Sequence, residues 1–210
     1  MKKVTAKGFT LVELLIVIAL LGVIATIVIA AINPIEQANR ATDSGNKADA
    51  SNLVSALQRY YTGHSNYPWT ITDPTNYPSA DTAFTFANAQ NTLVGICSAT
   101  GCATGGELIV ANELQSAFLS RKFVTAANSS GSIFVGKGGS ASSTVFACWV
   151  PKSNSARQSA IANDKVVDLT AGFTSGGLPT YTAGCDAGPS AAGWTVAGSA
   201  IPTCAECVPE

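Results

Sequence analysis

The chain has 210 residues, of which 12% are charged, and its formal net charge at neutral pH is −1. Three of the twelve basic residues lie in the first eight positions, which leaves nine basic against thirteen acidic side chains in the remainder. This acidic balance argues against general nucleic-acid binding, which requires basic side chains to neutralise phosphates. The low charge content, together with many small and hydroxyl side chains, is typical of exported surface proteins rather than cytosolic enzymes.

The first predicted element is an apolar helix over residues 9–32, which contains a single charge, Glu13. A helix rises about 1.5 Å per residue, so this run is long enough to cross a hydrocarbon core of ~30 Å. Lys2, Lys3 and Lys7 precede it without any acid. That bias predicts a single-pass cytoplasmic-membrane protein with its N-terminus in the cytoplasm and the rest of the chain outside. A cleaved signal peptide would have a shorter apolar run.

Glu13 is the informative residue of this helix. An acid at the centre of a bilayer costs roughly 2.5–3.5 kcal/mol on insertion scales, and less near the ends of a span. Such a residue is a functional-site hypothesis by default, and its charge needs a cationic partner. The chain has no cation at membrane depth, so the partner is expected to come from another molecule.

The run GFTLVE at residues 8–13, after a lysine-rich leader and before an apolar helix, resembles the prepilin signature. That family comprises type IV pilins and the related pseudopilins of type II secretion and DNA-uptake machines. The resemblance is close over residues 1–35 and extends further only in layout. It implies that a prepilin peptidase removes residues 1–8 by cutting after Gly8 and methylates the new amino group of Phe9. It also implies that Glu13 recruits the N-terminal amine of a neighbouring subunit during assembly.

The same resemblance implies the partners of the protein. They are the prepilin peptidase, an inner-membrane assembly platform, membrane lipid, and further copies of the chain or other pilins in a filament. After processing, the protein would leave the membrane for an extracellular or periplasmic filament. No cofactor, metal or nucleic-acid ligand is expected.

Gly22, Thr26 and Ala30 recur at every fourth residue and therefore share one face of the apolar helix. Stripes of small residues allow membrane helices to approach closely, which would make this an assembly face. A chance occurrence in an alanine-rich run explains the spacing equally well.

Pro34 predicts a kink or a helix end near residues 30–34, because proline removes an N–H and clashes with the carbonyl four residues earlier. The resemblance favours a kink, with an amphipathic helix continuing over residues 33–62. The helical spacing of its apolar residues predicts a buried face: Ala50, Leu53, Val54, Leu57, Tyr60 and Tyr61. The opposite face is predicted to carry Asp49, Ser51, Asn52, Gln58 and Arg59.

Residues 63–210 are predicted to form an extracytoplasmic, β-rich domain, which gives an α+β fold with a long N-terminal helix packed on a small antiparallel sheet. Prolines predict a loop over residues 63–81. The predicted strands are Thr92–Cys97, Ser132–Val135, Thr144–Val150 as the central one, and more weakly Lys165–Leu169. Residues 108–122 fit either a helix or a strand.

All six cysteines lie on the predicted outer side of the membrane, which indicates up to three disulfide bonds: Cys97, Cys102, Cys148, Cys185, Cys204 and Cys207. The sequence does not select a pairing, although local closure favours Cys97–Cys102. Pairing of Cys185 with Cys204 or Cys207 would staple the end of the domain, as in many pilins. A zinc or redox role for the Cys204–Cys207 spacing is disfavoured because there is no second such pair and the only histidine is far away.

The sequence gives only weak support for a catalytic or ligand-binding site. Residues 131–138 nearly spell a phosphate-binding loop, but Gly138 replaces the required hydroxyl residue and no helix is expected to follow. A hydrolase would depend on His64 without a nucleophile elbow. Trp69, Trp149 and Trp194 are expected in the core rather than in a ligand site.

The sequence therefore predicts a non-enzymatic, structural subunit of a type IV pilus or related filament. A pseudopilin of a secretion or DNA-uptake machine is one alternative. A membrane-anchored adhesin that does not polymerise is the other.

Overall fold

The computed structural model describes residues 8–31, 33–97, 102, 104–125, 131–140, 143–181, 192–194 and 201–209. The chain divides into two compact units, residues 1–38 and 39–210. Its helices are α1 (Leu11–Ala31), α2 (Pro34–His64), α3 (Pro68–Thr72), α4 (Glu107–Val110), α5 (Lys122–Thr125) and α6 (Asn154–Ala162). Its strands are β1 (Phe84–Asn88), β2 (Ile133–Lys137), β3 (Val145–Trp149) and β4 (Glu206–Val208).

The first unit consists of α1 and the start of α2. A window within α1, Leu11–Ile29, has a mean hydropathy of 3.0 and none of it is buried. This helix is long and apolar enough to cross a membrane, as the sequence predicts. Among the described residues, the large apolar side chains of this helix are exposed, so their burial requires lipid or another molecule.

The predicted break near Pro34 is a boundary between two helices. The first ends at Ala31 and the second begins at Pro34. Asn33 caps α2, because its Oδ1 accepts a hydrogen bond of 3.2 Å from the Glu36 N–H. Asparagine at the cap followed by proline at the first helical position is a strong start signal, since proline lacks only an N–H that would be unpaired there.

Helix α2 supplies one side of the main core of the second unit. Of its predicted buried face, five residues are buried: Ala50, Leu53, Val54, Leu57 and Tyr60. Tyr61 was expected on the same face but is 39% exposed and stacks on Tyr67, with ring centroids 4.8 Å apart. Asp49 was expected on the solvent face but is only 9% exposed. Arg121 Nη1 lies 3.6 Å from its Oδ1, a long-range ion pair that the spacing along α2 does not reveal.

The sheet has four antiparallel strands in the order β1-β2-β3-β4. All residues of β2 and β3 are buried, which is the pattern of strands covered on both faces. The prediction of a central strand at residues 144–150 is confirmed by β3, which lies between β2 and β4. The α+β fold class is likewise confirmed.

Two apolar clusters cover the two faces of the sheet. The α2 side holds the larger cluster, which includes Leu57, Trp69 and Val135. The other side holds a smaller cluster around Phe146 and Val167. The strand residues therefore pack against α2 on one face and against the segment after α6 on the other.

Two predicted strands are wrong. Residues 92–94 form a 3₁₀ helix, because Asn91 caps it through a hydrogen bond to the Leu93 N–H and Gly95, at φ +88°, closes it with a left-handed turn. Residues 165–169 contribute only one isolated bridge, between Val167 and Ala205. A β-rich composition does not reveal these local caps and turns.

Other elements were not predicted. Helix α3 lies inside the expected loop over residues 63–81, and the ambiguous stretch over residues 108–122 contains α4 and a 3₁₀ helix at Ser116–Ser120. Strands β1 and β4 and helix α6 were missed altogether. All of these elements are short, so their periodicity is weak.

Candidate processing and assembly site

The segment that resembles a processing site lies at the start of α1. Gly8 and Phe9 precede the helix, and the Phe9 side chain is 76% exposed. A Cβ added to Gly8 would meet no atom within 4 Å. The peptide bond after Gly8 is therefore open to another molecule within this structure.

Glu13 lies in the first turn of α1 and is held by Thr10. The Thr10 N–H and hydroxyl both donate to Glu13 Oε2, at 2.9 and 2.8 Å. In return, the Glu13 N–H donates to Thr10 Oγ1 at 3.2 Å. This reciprocal arrangement is a capping box, which satisfies otherwise unpaired groups at the helix start.

Thr10 is a site residue that the sequence analysis missed. The Thr-x-x-Glu spacing before an apolar run is a recognisable capping-box signal. Its consequence here is chemical, since Thr10 gives the carboxylate two neutral donors within the chain. Those donors lower the cost of placing the acid in an apolar medium, but they leave its negative charge uncompensated.

The small-residue stripe lies on α1 as the spacing requires. A Cβ at Gly22 would meet nothing within 4 Å, and the Thr26 hydroxyl donates to the Val23 carbonyl at 2.7 Å. Ala30 belongs to the helix, but its side chain lies outside the described residues. The described residues do not test whether this face packs against another helix, so the assembly face stays a prediction.

Asp43 ties α2 to the domain that follows. Its carboxylate accepts hydrogen bonds from the Lys152 N–H at 2.7 Å, the Ser153 N–H at 2.8 Å and the Ser153 hydroxyl at 2.7 Å. Ser153 is fully buried and also caps α6 through the Ala156 N–H. One carboxylate thus joins α2 to the segment between β3 and α6.

Two disulfide bonds are present among the described cysteines, Cys97–Cys102 and Cys148–Cys207. The first is the locally closed pair that the sequence favours. The second excludes a Cys185–Cys207 bond, because adjacent strands β3 and β4 pair Cys148 with Cys207. Cys204 is a buried thiol, and Cys185 lies outside the described residues.

The segment that resembles a phosphate-binding loop is packed against the rest of the domain. Lys137 is 2% exposed and its Nζ donates to the carbonyls of Gly138 and Ser140, at 3.0 and 3.3 Å. Burial lowers the pKa of Lys137, and Asp81 partly opposes that shift. A Cβ at Gly138 would collide with the backbone of Gly177, so this turn is filled by the chain itself.

His64 ends α2 and stacks on Tyr60, with ring centroids 4.1 Å apart. All three tryptophans are buried, as expected of core residues. Within the described part of the chain, no group of three or more His, Cys, Asp or Glu side chains could hold a metal ion.

The start of the chain combines three features. They are an accessible peptide bond after a glycine, a glutamate held in a capping box, and an apolar helix long enough to span a membrane. A family model described as the prokaryotic N-terminal methylation motif matches residues 5–29. The chain therefore carries the prepilin-type signature of type IV pilins and pseudopilins, which is the mark of a prepilin peptidase substrate. No curated protein and no solved structure matches this chain.

Proposed function

We propose that this protein is a structural subunit of a type IV pilus or a related filament. In this proposal a prepilin peptidase cuts after Gly8, and the processed chain waits in the membrane with residues 39–210 outside. An assembly platform then draws it into a helical fibre. The proposal assigns the chain no catalytic step and no cofactor.

The observation that carries the proposal is Glu13, whose only described hydrogen-bond partner is the neutral Thr10. Cutting after Gly8 creates an ammonium at Phe9, four residues from Glu13. Within a packed helix bundle, the amine of one copy can neutralise the Glu13 carboxylate of the next. A charge-assisted hydrogen bond of this kind is stronger in an apolar medium than in water.

The first measurement is the intact and N-terminal mass of the protein from membranes and from sheared fibres. We expect a chain that begins at a methylated Phe9. Retention of residues 1–8, or a cut near residues 26–33, would contradict the proposal.

The second measurement compares fibre yield for Glu13→Gln with wild type. Glutamine has the size of glutamate and keeps a carbonyl acceptor for Thr10, so the change removes charge above all. We expect normal processing and strongly reduced fibres. Glu36→Gln, the same change outside the membrane-length span, is the matched control and should assemble normally. Normal fibre yield with Glu13→Gln would refute the pairing.

The same experiment separates the alternatives. A processed, membrane-bound wild-type chain that forms no fibres would favour a membrane-anchored adhesin. Fibres formed only alongside a secretion or DNA-uptake machine would favour a pseudopilin.

A further inference from the structure

Four aromatic rings form one stacked row that runs from the surface of the second unit into its core. Tyr61 stacks on Tyr67, Tyr67 on Trp69, and Trp69 on Phe84, with ring centroids 4.8, 4.5 and 4.5 Å apart. The angles between successive ring planes are 23°, 12° and 7°. Single aromatic pairs are ordinary core packing. A row of nearly parallel rings in contact also lets an electron pass from ring to ring.

The row is built where α2 ends. Ser65 leaves the helix at φ +58°, and Tyr67, two residues later, stacks back on Tyr61. Pro68 then begins α3, and Trp69 is the second residue of that helix. Phe84 is the first residue of β1, so the row joins α2, α3 and the sheet.

Burial increases along the row from Tyr61 inward. Tyr61 is 39% exposed and Tyr67 is 6% exposed, whereas Trp69 and Phe84 are 0% and 1% exposed. Within the row, Tyr61 is therefore the ring with open access to water. Phe84 closes the inner end, because phenylalanine is much harder to oxidise than tryptophan or tyrosine.

Trp69 is a poor place for an oxidised ring to remain. An oxidised tryptophan becomes a neutral radical by losing its Nε1 proton. Trp69 Nε1 is buried and has no hydrogen-bond partner among the described residues, so this proton has no acceptor there. The radical cation keeps its positive charge in an apolar core, which is costly. Loss of an electron from Trp69 therefore favours the transfer of an electron from the next ring.

The two tyrosines of the row differ in how readily they release a proton. An oxidised tyrosine is stabilised when its hydroxyl group loses the proton. Burial raises the pKa of Tyr67, because the phenolate would be poorly solvated, so Tyr67 holds its proton more tightly. Tyr61 is open to water, which can accept the proton. The row therefore has a relay at Tyr67 and an end point at Tyr61.

We propose that this row is an exit path for oxidising equivalents, which moves a radical from Trp69 in the core to Tyr61 at the surface. A one-electron oxidant removes an electron from Trp69, an electron passes from Tyr61 through Tyr67 to Trp69, and the Tyr61 hydroxyl group releases its proton to water. Trp69 is then intact and Tyr61 is a neutral tyrosyl radical. A dissolved thiol returns one electron and one proton to Tyr61 and becomes a thiyl radical.

This inference goes beyond the proposed filament function and does not depend on it. All four rings belong to the second unit, and the path needs no contact with another copy of the chain. Its consequence is that radical damage is moved away from the core, where an oxidised ring would disturb packing, to a side chain that dissolved reductants can reach.

Trp149 and Trp194 provide a comparison within the same molecule. Both are buried, and the Nε1 of each lacks a hydrogen-bond partner among the described residues, as in Trp69. Within the described part of the chain neither stacks on another aromatic ring, and Trp194 has Arg157 over its ring at 5.8 Å instead. A radical formed on Trp149 should therefore stay there and lead to oxidation of that ring.

Ultraviolet photoionisation of the full chain in detergent tests the path, because it ejects an electron from tryptophan whether or not the ring is exposed. With a dissolved electron scavenger present, transient absorption distinguishes tryptophan radicals from tyrosyl radicals. Wild type should show a tyrosyl signal that grows while part of the tryptophan signal decays. Trp69→Phe and Tyr61→Phe should each lose this growth, and Trp149→Phe should keep it.

Tyr77→Phe is the matched control for Tyr61→Phe. Tyr77 contacts Phe84 edge-on, with ring centroids 5.3 Å apart, and so lies beyond the inner end of the row. The tyrosyl signal should therefore keep its growth in Tyr77→Phe. If Trp69→Phe fails to fold, Tyr61→Phe alone decides, because that change removes one hydroxyl group and keeps the ring.

Peptide mapping after illumination gives a second readout. In wild type Trp149 should be oxidised and Trp69 should be intact, whereas in Tyr61→Phe Trp69 should be oxidised as well. These results, together with the loss of tyrosyl growth in Tyr61→Phe, support the exit path. Undiminished tyrosyl growth in Tyr61→Phe, its loss in Tyr77→Phe, or equal oxidation of Trp69 in wild type and Tyr61→Phe would overturn it.

Discussion

At the scale of single residues, the charged groups that matter are those that the fold has taken out of water. Asp43 is 7% exposed and accepts three hydrogen bonds from a segment more than one hundred residues away in the chain. Asp49 is 9% exposed and faces one cation, Arg121, at 3.6 Å. The Asp43 carboxylate has three hydrogen bonds, whereas the Asp49 carboxylate has one ion pair at 3.6 Å. Removal of the two charges should therefore have opposite effects on stability.

Asp43→Ala should destabilise the second unit. The change leaves the part-buried Lys152 N–H and the buried Ser153 N–H without an acceptor, which costs about 3 kcal/mol and lowers Tm by about 6–12 °C. The measurement is thermal unfolding of the full chain in detergent, followed by tryptophan fluorescence. Ser44→Ala, the next residue and exposed, should shift Tm very little. Equal effects of the two changes would show that the Asp43 hydrogen bonds contribute nothing.

Asp49→Asn should stabilise the protein at neutral pH. Burial raises the pKa of Asp49 despite the opposing Arg121, so the folded state holds this proton more tightly than the unfolded state. The free energy of unfolding of wild type should therefore fall as pH rises from about 3.9, the ordinary Asp value, through the raised pKa. The Asn variant lacks this loss, and its advantage should vanish near pH 3.

Denaturant unfolding across that pH range measures the effect. Arg121→Gln removes the opposing cation, so the free energy of unfolding of this variant should fall more with rising pH than that of wild type. A wild-type advantage over Asp49→Asn at neutral pH would show instead that the ion pair outweighs burial.

At the scale of elements, the disulfide bonds differ in how much chain they constrain. Cys148–Cys207 joins neighbouring strands and closes a loop with a sequence separation of 59, whereas Cys97–Cys102 has a separation of 5. In the chain-entropy account, a crosslink stabilises by restricting the unfolded state, and more so for longer loops. The bond between β3 and β4 should therefore be the more important of the two.

Removal of each bond by paired alanine substitutions tests this difference. We expect a loss of about 4 kcal/mol for Cys148→Ala with Cys207→Ala, and about 2 kcal/mol for Cys97→Ala with Cys102→Ala. Urea unfolding of the full chain in detergent provides the comparison, with reduced wild type as a third sample. A larger loss for the short loop would contradict the entropic account.

The helices and strands also differ in how well the sequence predicts them. Helices α1 and α2 and strand β3 were predictable because α1 and β3 are continuously apolar and the second half of α2 has apolar residues at helical spacing. Strand β4 has only three residues and depends on pairing with β3, far away in sequence, and β1 is interrupted by an irregular register. Helix α6 is mostly polar and is marked locally only by its Ser153 cap.

The candidate site divides in the same way. The motif at Gly8, Phe9 and Glu13 was recognisable because it is contiguous, while the roles of these residues stay predictions. The hydrogen bonds of Thr10 could have been predicted from its spacing to Glu13. The role of Asp43 was not readable, since its partners lie 109 and 110 residues away and backbone donors leave no trace in side-chain identity.

At the scale of the whole molecule, the two units differ in how their apolar side chains are buried. No described residue of α1 belongs to a core cluster, whereas the three clusters of the described residues consist of residues from position 50 onward. The stability of the second unit is therefore its own, and that of the first depends on lipid or on other copies.

Residues 39–210 should fold when expressed without the preceding helix, provided the compartment oxidises thiols. We expect cooperative urea unfolding with a midpoint close to that of the full chain in detergent, because no core residue has been removed. The near-ultraviolet signal of the buried tryptophans gives an independent readout. Non-cooperative unfolding of this fragment would show that α1 or the first turn of α2 contributes to the core.

The position of β4 has a consequence for biogenesis. Residues 206–208 are synthesised after the other three strands, yet they complete the sheet beside β3 and carry the partner of Cys148. The sheet can therefore be completed only after β4 has been synthesised, and the Cys148–Cys207 bond cannot form before then. Cys97 and Cys102, which are five residues apart and precede Cys148 in the chain, can form their bond as soon as both have emerged. Completion of this domain therefore waits for the synthesis of its fourth strand.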